Sequence, residues 1–172
     1  LAVHQQNRGQ LHKILARITD HITVGSGQAS NYIELTNGTK VKYEVEHIWA
    51  DHADQHTDEF DHEADFARHR NRIGGLLLLP KQFNASYNDD PFETKLPHYF
   101  KENLLAASLN PLSYEKNPGL LAFIKQTGLP FEPHVQFKAA DLVERGNLYR
   151  DIAKQVWNPD DLLRVAETAG ER

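Results

Sequence analysis

The stretch of sequence that decides the fold has two parts, KVKYEVEHI at positions 40–48 and GLLLLPKQFNASYN at positions 75–88. The first part has the alternation of a strand and ends in the adjacent pair Glu46 and His47. The second part starts with a short apolar run, typical of a buried strand. It continues through Asn84 to Asn88, which lie on one face if the chain turns helical there. The pattern predicts two strands, a following helix, and one site for these four polar side chains.

Those four side chains fit the hydrolysis of a phosphodiester. The reaction needs a base for water, a cation at the phosphorane, and stabilisation of the leaving 3′ oxygen. His47 fits the base, because imidazole titrates near neutral pH. Carboxylate and amide oxygens of Glu46, Asn84 and Asn88 form a hard ligand set that favours one Mg²⁺ or Mn²⁺ ion over Zn²⁺. Adjacent strand residues point to opposite faces, so Glu46 and His47 share a site only where the strand ends or twists.

Length and composition predict one globular domain over residues 1–172. The chain is 40% apolar and 25% charged, as ordinary globular proteins are. Its longest apolar run, Leu76 to Leu79, is far too short for a membrane span, so we expect no membrane association. Cysteine is absent, which excludes disulfides and thiolate metal sites and fits a reducing cytoplasm.

The net charge of −5 argues against strong binding of DNA by charge alone. The charges are segregated along the chain, however. Acidic residues crowd positions 51–65, whereas basic residues follow from Arg68 onward. Within the basic part, Arg72, Lys81 and Lys95 are the candidates for contacting DNA phosphates.

The rest of the chain is predicted to be mostly helical around a core at about 41–99. Methionine is absent, so we expect a domain excised from a longer protein. An amphipathic helix is predicted at 5–22, a short helix at 63–68, and a helical remainder at 100–172 that includes a helix at about 139–157. Asp89-Asp90-Pro91 predicts a helix start with an Asp cap. The pair Asn37-Gly38 predicts a hairpin between strands at 32–36 and 41–45.

The order of these motifs resembles the HNH, or ββα-metal, nucleases. It is most similar to the HNH-type C-terminal domain of GmrSD-type restriction proteins, which typically read E-H-I-x-P, I-G-N-L-x-L-L, L-N and F-x-x-K. The matching segments here are Glu46-His47-Ile48, Ile73 to Leu79, Phe83-Asn84 and Phe92 to Lys95. The resemblance covers about 41–99 and extends faintly to Arg145 and Trp157.

The resemblance implies an α+β fold with a ββα-metal core, a short antiparallel hairpin, and several surrounding helices. It implies a metal-dependent DNA endonuclease of bacterial defence against foreign or phage DNA. Because one HNH site cuts one strand per encounter, nicking is the expected product. In this setting such domains are joined to an upstream ParB-like nucleotidase domain of the same chain, and an oligomer is possible.

The resemblance also assigns residue roles. His47 is the general base, Glu46 and Asn84 are metal ligands, and Asn88 is a further or water-mediated ligand. Lys95 either contacts phosphate or holds the helix. In the family, a middle asparagine supports the loop that carries the base. Here Gly75 replaces that asparagine, and Asn71 or a backbone group is the candidate to support the loop in its place.

Other interpretations stay open from sequence alone. A histidine after a strand is often structural, and both asparagines fit turns that tolerate left-handed φ. A non-catalytic DNA-binding or docking module on the same scaffold is the alternative function, favoured by Gly75 and the acidic net charge. The third interpretation is a metal-buffering site in the His/Asp-rich segment 51–69, where His52 and His56 have helical spacing. A solvated acidic loop is the simpler explanation of that segment.

Overall fold

A computed structural model describes residues 1–4 and 6–160. Within those ranges the chain is α+β, with one two-stranded antiparallel sheet and nine α-helices. The strands are β1 (Tyr43–His47) and β2 (Leu76–Pro80). The helices are α1 (Arg8–Gly25), α2 (Tyr32–Asn37), α3 (Glu63–Arg70), α4 (Lys81–Tyr87), α5 (Phe92–Tyr99), α6 (Leu104–Ala107), α7 (Ser113–Lys116), α8 (Pro118–Thr127) and α9 (Ala139–Val156).

The sheet joins the two quoted sequence segments. Glu46 pairs with Leu77 and His47 with Leu76, and the Ile48 N–H extends the ladder by donating to Gly75 O over 2.9 Å. Residues 76–79 are all buried, which explains why their apolar run does not alternate. Helix α4 starts directly after β2, so the predicted strand, strand and helix order is confirmed.

Helices α1 and α9 cover the sheet. The α1 side chains Leu11, Leu15, Ile18 and Ile22 are fully buried, so the predicted amphipathic helix is confirmed with bounds shifted to Arg8–Gly25. Helix α1 packs against β2, α6, α8 and α9. The predicted helix at about 139–157 is confirmed as α9. No helix in the described part of the chain has the length and apolar character needed to cross a membrane.

One glycine allows α9 to approach the turn that enters β2. This turn is a single 3-10 turn over Ile73–Gly75. A Cβ on Gly74 would lie 2.1 Å from Leu142 O and 2.6 Å from Gly146 N, so only glycine fits there. A Cβ on Gly146 would instead meet Gly74 Cα at 3.9 Å, an ordinary contact. The close approach therefore depends on Gly74 and fixes the position of β2 against α9.

The predicted hairpin at Asn37-Gly38 is wrong. Residues 32–37 form helix α2, and β1 pairs with β2 instead. Gly38 ends the helix in the left-handed conformation, with φ at 59° and its N–H donating to Glu34 O. The Glu34 carboxylate also accepts the N–H groups of Lys40 and Val41 at 2.8 Å each. Asn-Gly supplies the positive φ that hairpin turns and helix ends both need, so the pair alone does not distinguish them.

The helix start predicted after Asp90 is confirmed, but its cap is not. Helix α5 begins at Phe92 and Pro91 occupies the cap position, with no side-chain hydrogen bond to the first turn. The acidic cap that the sequence predicted is therefore replaced by a proline in extended conformation.

Candidate active site

His47 lies at the end of β1, half-buried, and one amide fixes its ring. The distance from His47 Nε2 to Asn71 Oδ1 is 3.0 Å. Asn71 Nδ2 donates to Ala67 O over 2.8 Å, which identifies Oδ1 as the acceptor facing the imidazole. His47 Nε2 therefore carries the proton in the neutral ring, and Nδ1 keeps its lone pair. This tautomer is the one in which Nδ1 can accept a proton.

The environment of His47 keeps the imidazole neutral. Burial is the largest cause lowering its pKa, from 6.5 to about 4, and the nearby Arg70 charge lowers it further. The hydrogen bond to Asn71 opposes that shift. A ring with this pKa is unprotonated at physiological pH, as a base must be before it accepts a proton.

Glu46 points into the interior and is paired with Lys95. The Lys95 side chain is 0% exposed and that of Glu46 is 1% exposed, with Nζ 2.7 Å from Oε1. Lys95 Nζ also donates to His47 O over 3.0 Å. Burial raises the pKa of Glu46 and lowers that of Lys95, and the attraction between the two opposes both shifts. Lys95 thus ties α5 to the end of β1, and its ammonium faces the interior.

Glu46 Oε2 and Asn84 Oδ1 are both buried and accept no hydrogen bond of ordinary geometry from the described residues, although the Tyr99 hydroxyl lies close enough to the Glu46 carboxylate to interact with it. The Asn84 amide lies against β1, with Nδ2 3.5 Å from Val45 O. A buried oxygen without a partner is costly, and carboxylate and amide oxygens are ligands that a hard divalent cation prefers. The donor chemistry of Glu46 and Asn84 therefore fits Mg²⁺ or Mn²⁺. No group of three or more His, Asp or Glu side chains in the described ranges could hold a metal by itself.

The remaining candidates lie on the surface around this centre. Asn88 follows the end of α4, is exposed, and donates from Nδ2 to Asp89 Oδ1 over 3.1 Å. Arg72 and Lys81 are exposed at the two ends of β2, Arg72 before it and Lys81 directly after it. The structure thus brings Glu46 and Lys95 together in the interior, places the half-buried Asn84 against β1 at Val45, and leaves Asn88, Arg72 and Lys81 exposed to solvent.

A larger side chain at Gly75 would be crowded. A Cβ there would lie 3.0 Å from Leu142 Cδ1 and 3.2 Å from Arg70 O. The amide that orients His47 comes instead from Asn71, at the C-terminal end of α3. In this chain the amide therefore comes from Asn71, whereas the family motif has its asparagine at the position of Gly75.

Arg70 is a site residue that the sequence did not single out. Its Nε donates to Trp49 O at 3.1 Å and to Ala50 O at 3.3 Å, and lies 3.7 Å from Asp51 Oδ1. Its charge lowers the pKa values of both Glu46 and His47. Arg70 sits between Arg68 and Arg72 in a run of alternating basic residues, and no sequence signal separates it from them.

The His/Asp-rich segment packs as an aromatic cluster at one end and is solvated at the other. His56 is stacked near Trp49 and Phe66, at ring-centroid distances of 4.3 and 5.1 Å. Trp49 Nε1 donates to Phe137 O over 2.7 Å. His52 is exposed and lies 3.7 Å from Asp54 Oδ1. Trp49-Ala50 stand where the family motif has x-P, and Trp49 fixes the loop after His47 to the segment before α9.

A family model described as the C-terminal domain of GmrSD restriction endonucleases matches residues 2–117. The chain belongs to this family. No curated protein and no solved structure gives a match to the chain. Membership of the GmrSD C-terminal family implies a nuclease of the restriction-endonuclease kind, with DNA as its substrate. His47, Glu46, Asn84 and Lys95 all lie within the matched range.

Proposed function

We propose that this GmrSD C-terminal domain is a metal-dependent DNA endonuclease of the HNH type, in which His47 is the general base. The observation that carries the proposal is the hydrogen bond between His47 Nε2 and Asn71 Oδ1, which leaves Nδ1 available on a neutral ring. A histidine with only a structural role does not need one nitrogen fixed and the other kept free. The proposed fold is the ββα-metal core formed by β1, β2 and α4.

The proposed reaction is the hydrolysis of a DNA phosphodiester. His47 Nδ1 removes a proton from water, and the resulting hydroxide attacks phosphorus. The bond from phosphorus to the 3′ oxygen breaks, and that oxygen takes a proton from solvent. Asn71 stabilises the imidazolium that forms, because its oxygen continues to accept from Nε2–H. Lys95 keeps the end of β1 in place through His47 O.

The proposed cofactor is one Mg²⁺ or Mn²⁺ ion, held by Glu46 and Asn84, with Asn88 acting through water. The buried oxygens Asn84 Oδ1 and Glu46 Oε2, the second of which lies near the Tyr99 hydroxyl, support this assignment. When bound, the ion supplies positive charge beside the phosphate and the leaving oxygen. Lys95 occupies only Oε1 of Glu46, so the carboxylate keeps a second oxygen for the ion.

The proposed setting is cytoplasmic defence against foreign or phage DNA. A single HNH site cuts one strand, so nicking is the proposed product. Specificity and nucleotide-dependent control are assigned to an upstream ParB-like domain, and a double-strand break would need dimerisation or two nicks. Arg72 and Lys81 are proposed to contact DNA phosphates near the site.

A second candidate function is a DNA-binding module on the same scaffold without catalysis. One observation favours it: the buried Lys95 ammonium already neutralises the carboxylate that the metal would need. This module would bind DNA in a salt-sensitive manner without cleaving it, and binding would survive loss of His47.

Plasmid nicking separates the two candidates. Wild type should convert supercoiled plasmid to open circles with Mg²⁺ or Mn²⁺ and not with EDTA, whereas His47→Ala should not. His52→Ala, which removes an exposed imidazole from the neighbouring loop, should cleave like wild type. Equal nicking by wild type and His47→Ala, with both folded, would exclude His47 as the base.

A further inference from the structure

Arg70 presents an unusual arrangement of hydrogen-bond donors beside His47. Its Nε is held by Trp49 O and Ala50 O in the loop that follows His47. Its two Nη groups make no hydrogen bond within the described part of the chain, although the side chain is only 11% exposed. A guanidinium has five donors in a rigid plane, and the outer four of Arg70, which are not among the buried atoms without a partner, remain open to a ligand.

The position of Arg70 relates it to the proposed base. It is the last residue of α3, and the next residue, Asn71, accepts the hydrogen bond from His47. The Arg70 charge acts on both Glu46 and His47, which agrees with a guanidinium close to them. Its nearest carboxylate is Asp51, 3.7 Å from Nε, and that side chain is 74% exposed. Asp51 approaches Nε, and no hydrogen bond joins Asp51 to either Nη group within the described residues.

We propose that Arg70 binds the DNA phosphate at the reaction centre through its two Nη groups. The geometry points to this ligand, because two parallel N–H donors match two phosphate oxygens and a fixed Nε sets their direction. The loop carbonyls thus orient Arg70 as Asn71 orients His47. The inference rests on the proposed nuclease function and adds the residue that positions the phosphate and stabilises its charge in the transition state.

Arg68 provides a matched control on the same helix. Its guanidinium is 68% exposed and lies 3.1 Å from Asp65 Oδ1, within α3. Neutralising Arg68 removes the same formal charge from the same helix, while the donors beside His47 remain. If substituting Arg70 has a larger effect than substituting Arg68, the effect depends on where the guanidinium lies. If the two effects are equal, they come from the loss of charge alone.

The test measures DNA affinity as a function of salt, in a His47→Ala background so that a labelled duplex stays intact in Mg²⁺. Adding Arg70→Gln should lower the slope of log affinity against log salt by about 0.9, the value for one phosphate contact. Adding Arg68→Gln should leave the slope unchanged. An unchanged slope for Arg70→Gln, or equal losses for both variants, would overturn the proposal.

A second measurement uses the intact active site. Arg70→Lys keeps the charge and loses the planar fork, so we expect its single-turnover nicking rate to fall about 100-fold, while Arg68→Lys retains the wild-type rate. Thermal unfolding of each variant distinguishes this loss from misfolding. A folded Arg70→Lys variant with the wild-type rate would overturn the assignment. The salt slope needs no cleavage, so it tests Arg70 even if wild type fails to nick DNA.

Discussion

At the residue scale, the orientation of His47 depends on the amide of Asn71, which lies outside the motif position that usually supplies it. Gly75 occupies that position and has Leu142 and Arg70 O where a side chain would extend. The sequence predicted Glu46, His47 and Asn84 as candidates, because their types and spacing match the family motif. It could not identify Lys95 as the partner of Glu46, or Arg70 as a neighbour of His47, since both depend on how α5 and α3 pack against β1.

Replacing Asn71 by alanine should lower the rate without unfolding the protein. Without Oδ1 the imidazole is free to rotate and to exchange tautomers, so we expect a 10- to 100-fold lower single-turnover nicking rate, about the cost of losing a hydrogen bond that orients an active-site imidazole. DNA affinity should change little. Asn37→Ala, which removes an amide from the end of α2, is the control. A wild-type rate in Asn71→Ala would show that the hydrogen bond does not serve catalysis.

The lowered pKa of His47 predicts a pH-dependent stability. An unfolded histidine takes up a proton near pH 6.5, whereas folded His47 resists protonation until about pH 4. Between these values the unfolded state binds more protons, so stability from this group is complete above pH 6.5 and is lost as pH falls towards 4. Denaturant unfolding should show wild type losing roughly 2–3 kcal/mol more than His47→Gln between pH 7 and pH 4. If the unfolding free energies of the two proteins changed equally with pH, the lowered pKa of His47 would be refuted.

At the scale of elements, strands β1 and β2 and helices α1, α4 and α9 could be predicted from apolar periodicity. The pairing of the strands was less predictable. The sequence paired 41–45 with 32–36 because of Asn37-Gly38, whereas the partner of β1 arrives only after α3 and a long loop. A turn-forming pair such as Asn37-Gly38 carries no information about pairing between segments so far apart. Here the pair forms the end of α2 instead.

Gly74 and Gly146 give a matched test of the contact between α9 and β2. Gly74→Ala places a Cβ within 2.1 Å of Leu142 O, so the helix must move and we expect a loss of at least about 2 kcal/mol in unfolding free energy. In Gly146→Ala the new Cβ makes only an ordinary contact with Gly74. Because Gly146 lies inside α9, where alanine is the better helix former, we expect a neutral effect or a gain of about 0.5–1 kcal/mol. Equal effects of the two substitutions on denaturant unfolding would contradict the packing described.

At the scale of the whole molecule, residues beyond the family match contribute to the same core. The family model ends at residue 117, yet Tyr149 OH in α9 donates to Leu76 O in β2 over 2.9 Å. Arg145, also in α9, is buried and donates through Nη1 to Ser108 Oγ at 3.5 Å and through Nη2 to Leu105 O. From sequence alone, only the faint family resemblance at Arg145 pointed to this part of the chain.

A chain ending at Thr127 should therefore lose its cooperative fold. It lacks α9, so Gly74 and the buried leucines of β2 lose their cover, and exposed apolar area costs about 25 cal/mol per Å². Circular dichroism and thermal unfolding of residues 1–127 against the full chain would measure this. A truncated chain with the same cooperative transition would show that α9 is separate from the nuclease core.

The central claim, that the free nitrogen of His47 removes a proton from water, is tested most directly by chemical rescue. Plasmid nicking in Mg²⁺ would be measured for His47→Ala with increasing imidazole, alongside wild type and His52→Ala. The account predicts that imidazole restores nicking to His47→Ala in a concentration-dependent manner and leaves the other two proteins unchanged. Full nicking by His47→Ala without imidazole would contradict it, as would the absence of any rescue in a folded variant that still binds DNA.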